Sequence, residues 1–284
     1  MSAGRSMNNA FSSPTISVLM STYAKEKACN LKASLESLFQ QTRRPDQIVL
    51  VVDGPVDGEQ EDVIACYRED KRVPLFTLIR HETSQGLAEA MNSGLGSCIG
   101  TFILRMDSDD LCDADRIQVQ LAYAEAHPGT DVISSWSEEF FEDGSPSRMK
   151  VSPVSHDAVV SALRWRNVIV HPTLFIKAEW LRRVGGYRAK YGMLEDYDLF
   201  VRLALSGARF HVIPKVLVRV RASAALHNRR GGLRYCLKEM RFRLDCLASG
   251  FLNFGQFLVV APMYAAFRLV SGPMRRHLYV LART

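Results

Sequence analysis

Short apolar runs of strand length alternate with segments of helical spacing from Ile16 to Ser135, and this alternation limits the fold more than any other feature of the chain. Ile16–Met20, Ile48–Val52, Leu75–Ile79, Phe102–Met106 and Asp131–Ser135 read as buried strands. Between them, Asn30 to Gln41 brings Leu31, Leu35, Leu38 and Phe39 onto one helical face, with Pro45 just beyond. Glu59 to Glu69 is helix-like, and Gly86 to Leu95 aligns Leu87, Met91 and Leu95. Asp113 can cap a further helix bearing Ile117, Leu121 and Ala124, which runs out before Pro128. Strands that are apolar on both faces need helices on both sides. The pattern therefore predicts an α/β fold with a doubly wound, mostly parallel central sheet and flanking helices. A chain of 284 residues, 47% of them hydrophobic, can fill the core of one large domain, or of one domain with an appendage.

Open α/β sheets bind ligands beyond the carboxyl ends of their strands. In Thr101–Asp113 (TFILRMDSDDLCD) the apolar run Phe102, Ile103, Leu104 and Met106, broken only by Arg105, stops abruptly at Asp107, Ser108, Asp109 and Asp110. Three carboxylates on four positions repel one another, so pointing several inward calls for a hard divalent cation bound through oxygen. The competing reading is an acidic turn capping the next helix; the position at a strand end favours the cation. Two other strand ends should face the same crevice. Thr22 and Tyr23 close the first strand and Asp53 the second, where a tyrosine can stack on a ring and an aspartate can accept from a base or ribose. Gly54 and Pro55 equally suit Asp53 as a turn residue. No GxxxxGK[ST] and no GxGxxG follows a strand, which removes the main support for an NTPase or a dinucleotide enzyme.

The segment after Gly144 reads as a connection reaching Pro153, followed by a helix from His156 to Arg166. Val168 to Ile176 resembles paired strand material broken at His171 and Pro172, with His171 either structural or in the cleft. Glu195, Asp196 and Asp198 fall in the first turn of a helix that stops at Gly207. Capping and the helix dipole account for one or two of these acids. A third, at the mouth of a cleft holding a cation, can serve as general base for a hydroxyl.

The net charge of +6 gathers in Arg and Lys after about residue 164, while the acidic cluster lies earlier. A basic second half beside an acidic metal site fits a phosphate-bearing ligand and argues against nucleic acid. The six cysteines form no CxxC pair and read as reduced thiols of a cytosolic protein. The first dozen residues carry no apolar secretory core and read as a loose tail. Arg219, Arg221, Arg229 and Arg230 precede a helical segment from Leu233 to Leu247 and could grip a pyrophosphate, or form a solvated basic face. Phe257 to Phe267 is apolar but short, contains Pro262 and is followed by Arg268, Arg275 and Arg276. Either it lies shallowly at an anionic leaflet or it packs on the core.

Taken in order, ISVLMSTY, VVDGP, GLAEAMNSGL, RMDSDD, HPT and EDYDLFVRL resemble the family 2 glycosyltransferases of the GT-A fold, nearest to bacterial exopolysaccharide and capsule enzymes of the amylovoran type. VLVRVR and NRRGGLRY extend the likeness to about Gly232. The resemblance implies a flexible tail over residues 1–13, a glycosyltransferase domain over 14–225 (nucleotide-binding half 14–135, acceptor half 136–225), and a basic, apolar helical extension over 226–284. It implies a nucleotide-diphosphate sugar donor, UDP-linked in most members, with Mn²⁺ or Mg²⁺ and inversion at the anomeric carbon. Thr22, Tyr23 and Asp53 would hold the nucleoside. Asp107 and Asp109 match the DxD pair, with Asp109 the direct metal ligand and Asp107 nearer the ribose or a bridging water, and Asp110 would lie near the donor sugar. Asp196 matches the catalytic aspartate, with Glu195 its rival. His171, Arg219, Arg221, Arg229 and Arg230 would serve acceptor or phosphate. The acceptor would be a growing glycan or a polyprenyl-pyrophosphate-linked sugar, met in the cytoplasm with peripheral contact at the inner membrane. The QxxRW element of processive members is missing, so one sugar per encounter is expected. Two alternatives remain at this point: a sugar nucleotidyltransferase, and an inactive sugar-binding scaffold on the same fold.

Overall fold

The computed structural model describes residues 14–222 and 232–270. Its first half alternates as the periodicity predicts: β1 (Ile16–Tyr23), α1 (Ala28–Phe39), β2 (Gln47–Asp53), α2 (Gly58–Glu69), β3 (Leu75–His81), α3 (Leu87–Ser97) and β4 (Phe102–Arg105). These four strands lie in the order β3-β2-β1-β4, all parallel. Their alternate side chains feed two cores. Leu19, Val49 and Ile103 belong to the core on the α3 side, while Val18, Met20, Ile48, Leu50 and Leu104 belong to the core on the α1 and α2 side. Burial on both faces explains the unbroken apolar runs.

The second half comprises β5 (Leu111–Cys112), α4 (Arg116–Ala126), β6 (Val132–Phe140), β7 (Arg148–Lys150), α5 (His156–Leu163), β8 (Phe175–Lys177), α6 (Ala178–Arg183), α7 (Glu195–Leu205) and β9 (Phe210–Arg221). The sheet continues from β4 through β8, β6 and β9 to β5, and β7 pairs with β6. Here the pairing is mixed: β8 is antiparallel to both neighbours, and β6 runs parallel to β9.

Three local expectations change. Asp113 does not cap α4: the helix begins at Arg116 after Asp115, and the Asp113 carboxylate takes the Asp115 N–H at 3.3 Å. Arg116 is fully buried there, donating to the Arg105 carbonyl at 3.0 Å, and this anchor sets where the helix starts. His171–Thr173 is a 3₁₀ turn and not a break between two strands, so strand structure is confined to Phe175–Lys177. Thr173 locks that turn by donating to the Val170 carbonyl at 2.7 Å. The connection after Gly144 contains β7.

Two C-terminal helices, α8 (Leu233–Ala248) and α9 (Phe254–Leu269), pack against each other. Asn253 and Gln256 form a capping box that starts α9. The apolar run from Phe257 thus belongs to a helix that packs on the protein through Val260 and Ala261. Between the two helices Glu239, wholly buried, pairs with Arg243 at 3.0 Å and Arg268 at 2.9 Å. Among the described residues no helix is long and apolar enough to cross a membrane, and all six cysteines are free.

Candidate active site

Parallel register brings Tyr23, Asp53 and His81 side by side at the carboxyl ends of β1, β2 and β3. The Asp53 oxygens accept four hydrogen bonds: Oδ1 from His81 Nδ1 (2.8 Å) and the Gln85 N–H (2.8 Å), Oδ2 from Ser84 Oγ (2.7 Å) and the Gly86 N–H (2.9 Å). Burial raises the Asp53 pKa, but these donors outweigh it and hold the group below its ordinary value. The carboxylate that the sequence offers to a base or ribose is therefore filled by the protein's own donors, and it shapes the 84–86 loop. Gly54 permits this approach. It sits at φ +87°, and a Cβ there would lie 2.8 Å from the Ser84 nitrogen. Thr22 is also turned inward, its Oγ1 donating to Gln60 Oε1 at 3.0 Å, whereas the Tyr23 ring is exposed at the rim.

Beyond β4, oxygens of Asp107, Asp109 and Asp110 lie within 4.8 Å of one another. Arg105, buried in the strand, forms an ion pair with Asp107. Asp110 is nearly inaccessible; its Oδ1 accepts the Arg221 N–H at 2.8 Å, and its buried Oδ2 has no hydrogen-bond partner. Burial, then the charges of Asp107 and Glu26, push Asp109 up to about 7. Burial and the two neighbouring aspartates likewise raise Asp110 well above the carboxylate range. The cluster is short of positive charge.

β9 supplies the far wall, because its pairing with β5 sets Arg219 opposite Leu111. Arg221 donates from Nε to the Asp109 carbonyl at 3.0 Å and pairs with Glu142 at 2.7 Å, while Lys27 reaches the same glutamate at 3.0 Å. Arg219 is half exposed, lies 3.4 Å from Glu138 and stacks on Phe140. Arg229 and Arg230 lie outside the described residues.

The second acidic set opens α7. Asp198 is structural: buried, it pairs with Arg202 at 2.7 Å, and Arg202 in turn holds the Val184 and Gly186 carbonyls. Asp196 accepts from Asn167 Nδ2 (2.8 Å) on Oδ2 and from the Tyr197 N–H (2.7 Å) on Oδ1. Glu195 precedes it in the same turn. Between the two acidic sets stands Tyr187, buried, its hydroxyl 3.0 Å from His171 Nε2. Burial raises the Tyr187 pKa, Arg105 opposes it, and the charges of both Asp196 and Asp107 add to it, so both acidic sets act on one hydroxyl. Burial and the Arg105 charge hold His171 neutral, so its imidazole contributes a hydrogen bond and no charge.

The structure also brings against these candidate residues Arg105, Asn167, Tyr187, Gln60 and Glu142, none of which the sequence singles out by spacing. Only Arg105 leaves a trace, as the one charge inside a buried strand.

A mostly parallel sheet with an acidic cluster at the end of β4 and a carboxylate-led helix α7 is the architecture of the GT-A class. The chain belongs to glycosyl transferase family 2, whose model matches residues 17–185. It is 30% identical over 267 residues to the Escherichia coli UDP-Gal:alpha-D-GlcNAc-diphosphoundecaprenol beta-1,3-galactosyltransferase, covering 94% of this chain and 95% of that one. It is 34% identical over 250 residues to the amylovoran biosynthesis glycosyltransferase AmsE of Erwinia amylovora, covering 87% and 92%. In fold it matches the mannosyltransferase PcManGT of Pyrobaculum calidifontis, solved with GDP-Man and Mn²⁺, with a TM-score of 0.63 at 19% identity over 93% of this chain and 72% of that one. Family membership makes this chain a glycosyltransferase and sets aside the nucleotidyltransferase and inactive-scaffold alternatives.

Proposed function

We propose that this protein transfers one sugar, with inversion, from a UDP-sugar to a hydroxyl of a polyprenyl-diphosphate-linked glycan during bacterial exopolysaccharide, capsule or O-antigen assembly, at the cytoplasmic face of the inner membrane. The observation that carries the reading is the convergence of the Asp107, Asp109 and Asp110 oxygens beyond β4, with one buried Asp110 oxygen left without a partner. The E. coli relative, named for a UDP-Gal donor and a diphosphoundecaprenol-linked acceptor, supports the substrate classes.

The residues fit a divalent ion. Three hard oxygen donors converge, two of them with raised pKa values, and one buried oxygen lacks a partner. Asp109 and Asp107 would hold Mn²⁺ or Mg²⁺, with Asp110 behind them. When bound, the ion supplies positive charge against the negative charge growing on the departing diphosphate. Tyr23 offers an exposed ring to the base, and Asp53 braces the adjoining loop. Asp196 takes the proton of the acceptor hydroxyl as its oxygen bonds to the anomeric carbon and the bond to the diphosphate oxygen breaks. Hydrogen bonds from Asn167 and the Tyr197 N–H fix the direction of the Asp196 carboxylate.

Thermal unfolding with nucleoside diphosphates, each with and without Mn²⁺ or Mg²⁺, tests the donor site without an acceptor. A metal-dependent rise with UDP, lost in Asp109→Ala, is expected. No rise with any nucleotide in folded protein would overturn the reading.

A further inference from the structure

The outer face of the C-terminal helix pair is apolar where a solvated surface would be charged. At about 100° per residue, α8 carries three stripes. Tyr235, Glu239, Phe242 and Arg243 point inward. Leu233, Leu237 and Leu244 form an exposed apolar stripe, and Arg234, Lys238 and Arg241 form an exposed cationic stripe next to it. α9 goes further. Phe254 is 66% exposed, Leu258 and Val259 are each 55% exposed, and Met263 and Leu269 follow on the same outer half. The one charged side chain of α9, Arg268, is buried against Glu239, so the outward half of this helix bears no charge. In α9 folding has placed the charge inside and the hydrocarbon outside. The hairpin's two acids are both engaged, Glu239 in the buried triad and Asp245 with Lys190 and Tyr191.

We propose that this face of α8 and α9 docks on an anionic lipid bilayer, its apolar side chains entering the acyl boundary while the Arg234–Lys238–Arg241 stripe meets phosphate headgroups. The charge pattern selects this occupant: an apolar patch bordered by Arg234, Lys238 and Arg241, with Asp245 on the same stripe already paired to Lys190, complements hydrocarbon beneath an anionic plane. The inference rests on the membrane-face reading above and gives it a surface. The hairpin's inner side also touches the acceptor machinery. Arg243 donates to the Tyr197 hydroxyl at 3.1 Å, one residue from Asp196, and Asp245 accepts from Lys190 at 2.5 Å in the turn before α7.

Cosedimentation of the full chain with vesicles of phosphatidylcholine alone or with added phosphatidylglycerol tests this. Wild type should pellet with the anionic vesicles and release at high salt. Leu237→Gln with Leu258→Gln should weaken binding about tenfold or more, and Arg234→Gln with Arg241→Gln should remove the preference for phosphatidylglycerol. Both variants should keep the wild-type melting temperature and UDP-dependent shift, which separates lost docking from misfolding and from failure of the donor-site reading. Wild type that stays in the supernatant with every vesicle overturns the proposal, as does equal binding by the leucine variant. A concentration-dependent dimer that fails to pellet would assign the face to a second copy, and vesicle binding gained only on removing residues 271–284 would assign it to the chain's own C-terminus; either result also overturns it.

Discussion

Replacing Arg243 with methionine should uncouple catalysis from donor binding, because this buried guanidinium joins the C-terminal hairpin to the helix that carries Asp196. The side chain is 1% exposed, pairs with Glu239 at 3.0 Å, donates to the Tyr197 hydroxyl at 3.1 Å and stacks over the Tyr264 ring at 4.4 Å. Methionine keeps the apolar stem and removes the charge. Deleting one partner of a buried ion pair costs about 3–5 kcal/mol. Glu239 retains Arg268 at 2.9 Å, so the lower end, about 3 kcal/mol, is expected. For a chain of this size that is a fall of roughly 6–12 °C in Tm. Tyr197 keeps its bond to the Leu163 carbonyl but loses the donor that fixes its other side, and its N–H aims Asp196. A misalignment of the base costs about ten- to a hundredfold in kcat. The UDP-dependent stabilisation should survive, since β1 to β4 are untouched. Arg243→Lys should recover stability only in part, lacking the planar fork. Changing Glu239, Arg243 and Arg268 together to leucine or methionine should recover more of it, because no charge is then left buried. Calorimetry combined with steady-state transfer and nucleotide titration decides the matter. If the methionine variant melts with wild type, or loses donor affinity in step with kcat, the coupling through Tyr197 is refuted.

Asp109→Ala should abolish metal-dependent donor turnover and the metal-dependent part of the UDP shift, read by calorimetry with Mn²⁺ and with a chelator. Asp196→Asn should bind donor within about twofold of wild type while transfer falls about 10²- to 10⁴-fold; near wild-type transfer would refute the base assignment. Gly54→Ala should cost more than about 1 kcal/mol, since alanine at φ +87° is strained and its Cβ meets the Ser84 nitrogen at 2.8 Å; urea unfolding measures it. Glu36 is held down at about 2 chiefly by its hydrogen bonds from Arg72, with further ones from Tyr67 and Gln40. Its folded pKa lies below the unfolded value, so its stabilisation is present above about pH 4.5 and is lost as pH falls toward 2. Glu36→Gln should flatten that part of the acid-unfolding profile, by a small amount because the pair is one-third exposed.

What the sequence made legible is local. The strands β1 to β4 and their acidic end are written in runs of a few residues, and periodicity reads such runs directly. Glu195, Asp196 and Asp198 were legible as the first turn of a helix because a helix start concentrates its acids in one turn, while the choice of Asp196 among them came from the family resemblance. The rest depends on pairs remote along the chain. The Arg221 N–H reaches Asp110 across 111 residues and Tyr187 contacts Asn92 across 95, while Asp53 is filled by donors 28 to 33 residues away. No spacing rule reports these. The same limit hid the hairpin's inner role: Arg268 read as a flank of the apolar run, Arg243 was not singled out, and only packing turns both inward onto Glu239. His171 and Pro172 looked like a gap between strands because the Thr173 bond to Val170 that makes the turn is invisible to hydrophobic pattern.

The three aspartates after β4 are equivalent as letters and unequal as ligands, and the inequality follows from their neighbours. Arg105 rises from inside the strand and pairs with Asp107. Arg221 gives its backbone N–H to Asp110, which is also too deeply buried to meet a ligand with more than one oxygen. No hydrogen bond or ion pair from another described residue reaches the Asp109 carboxylate; Arg221 Nε bonds its carbonyl and so fixes the backbone from which it projects. Asp109 is therefore the accessible carboxylate with the most to gain from a cation, and burial with the neighbouring Asp107 and Glu26 charges pushes it up to about 7. Asp109 would be the chief ligand of a divalent ion, and Asp107, already paired with Arg105, would share it. This order makes Asp109 the position at which substitution should cost the most metal affinity, ahead of Asp107, and it rests on the placement of two arginines, one in β4 and one at the end of β9.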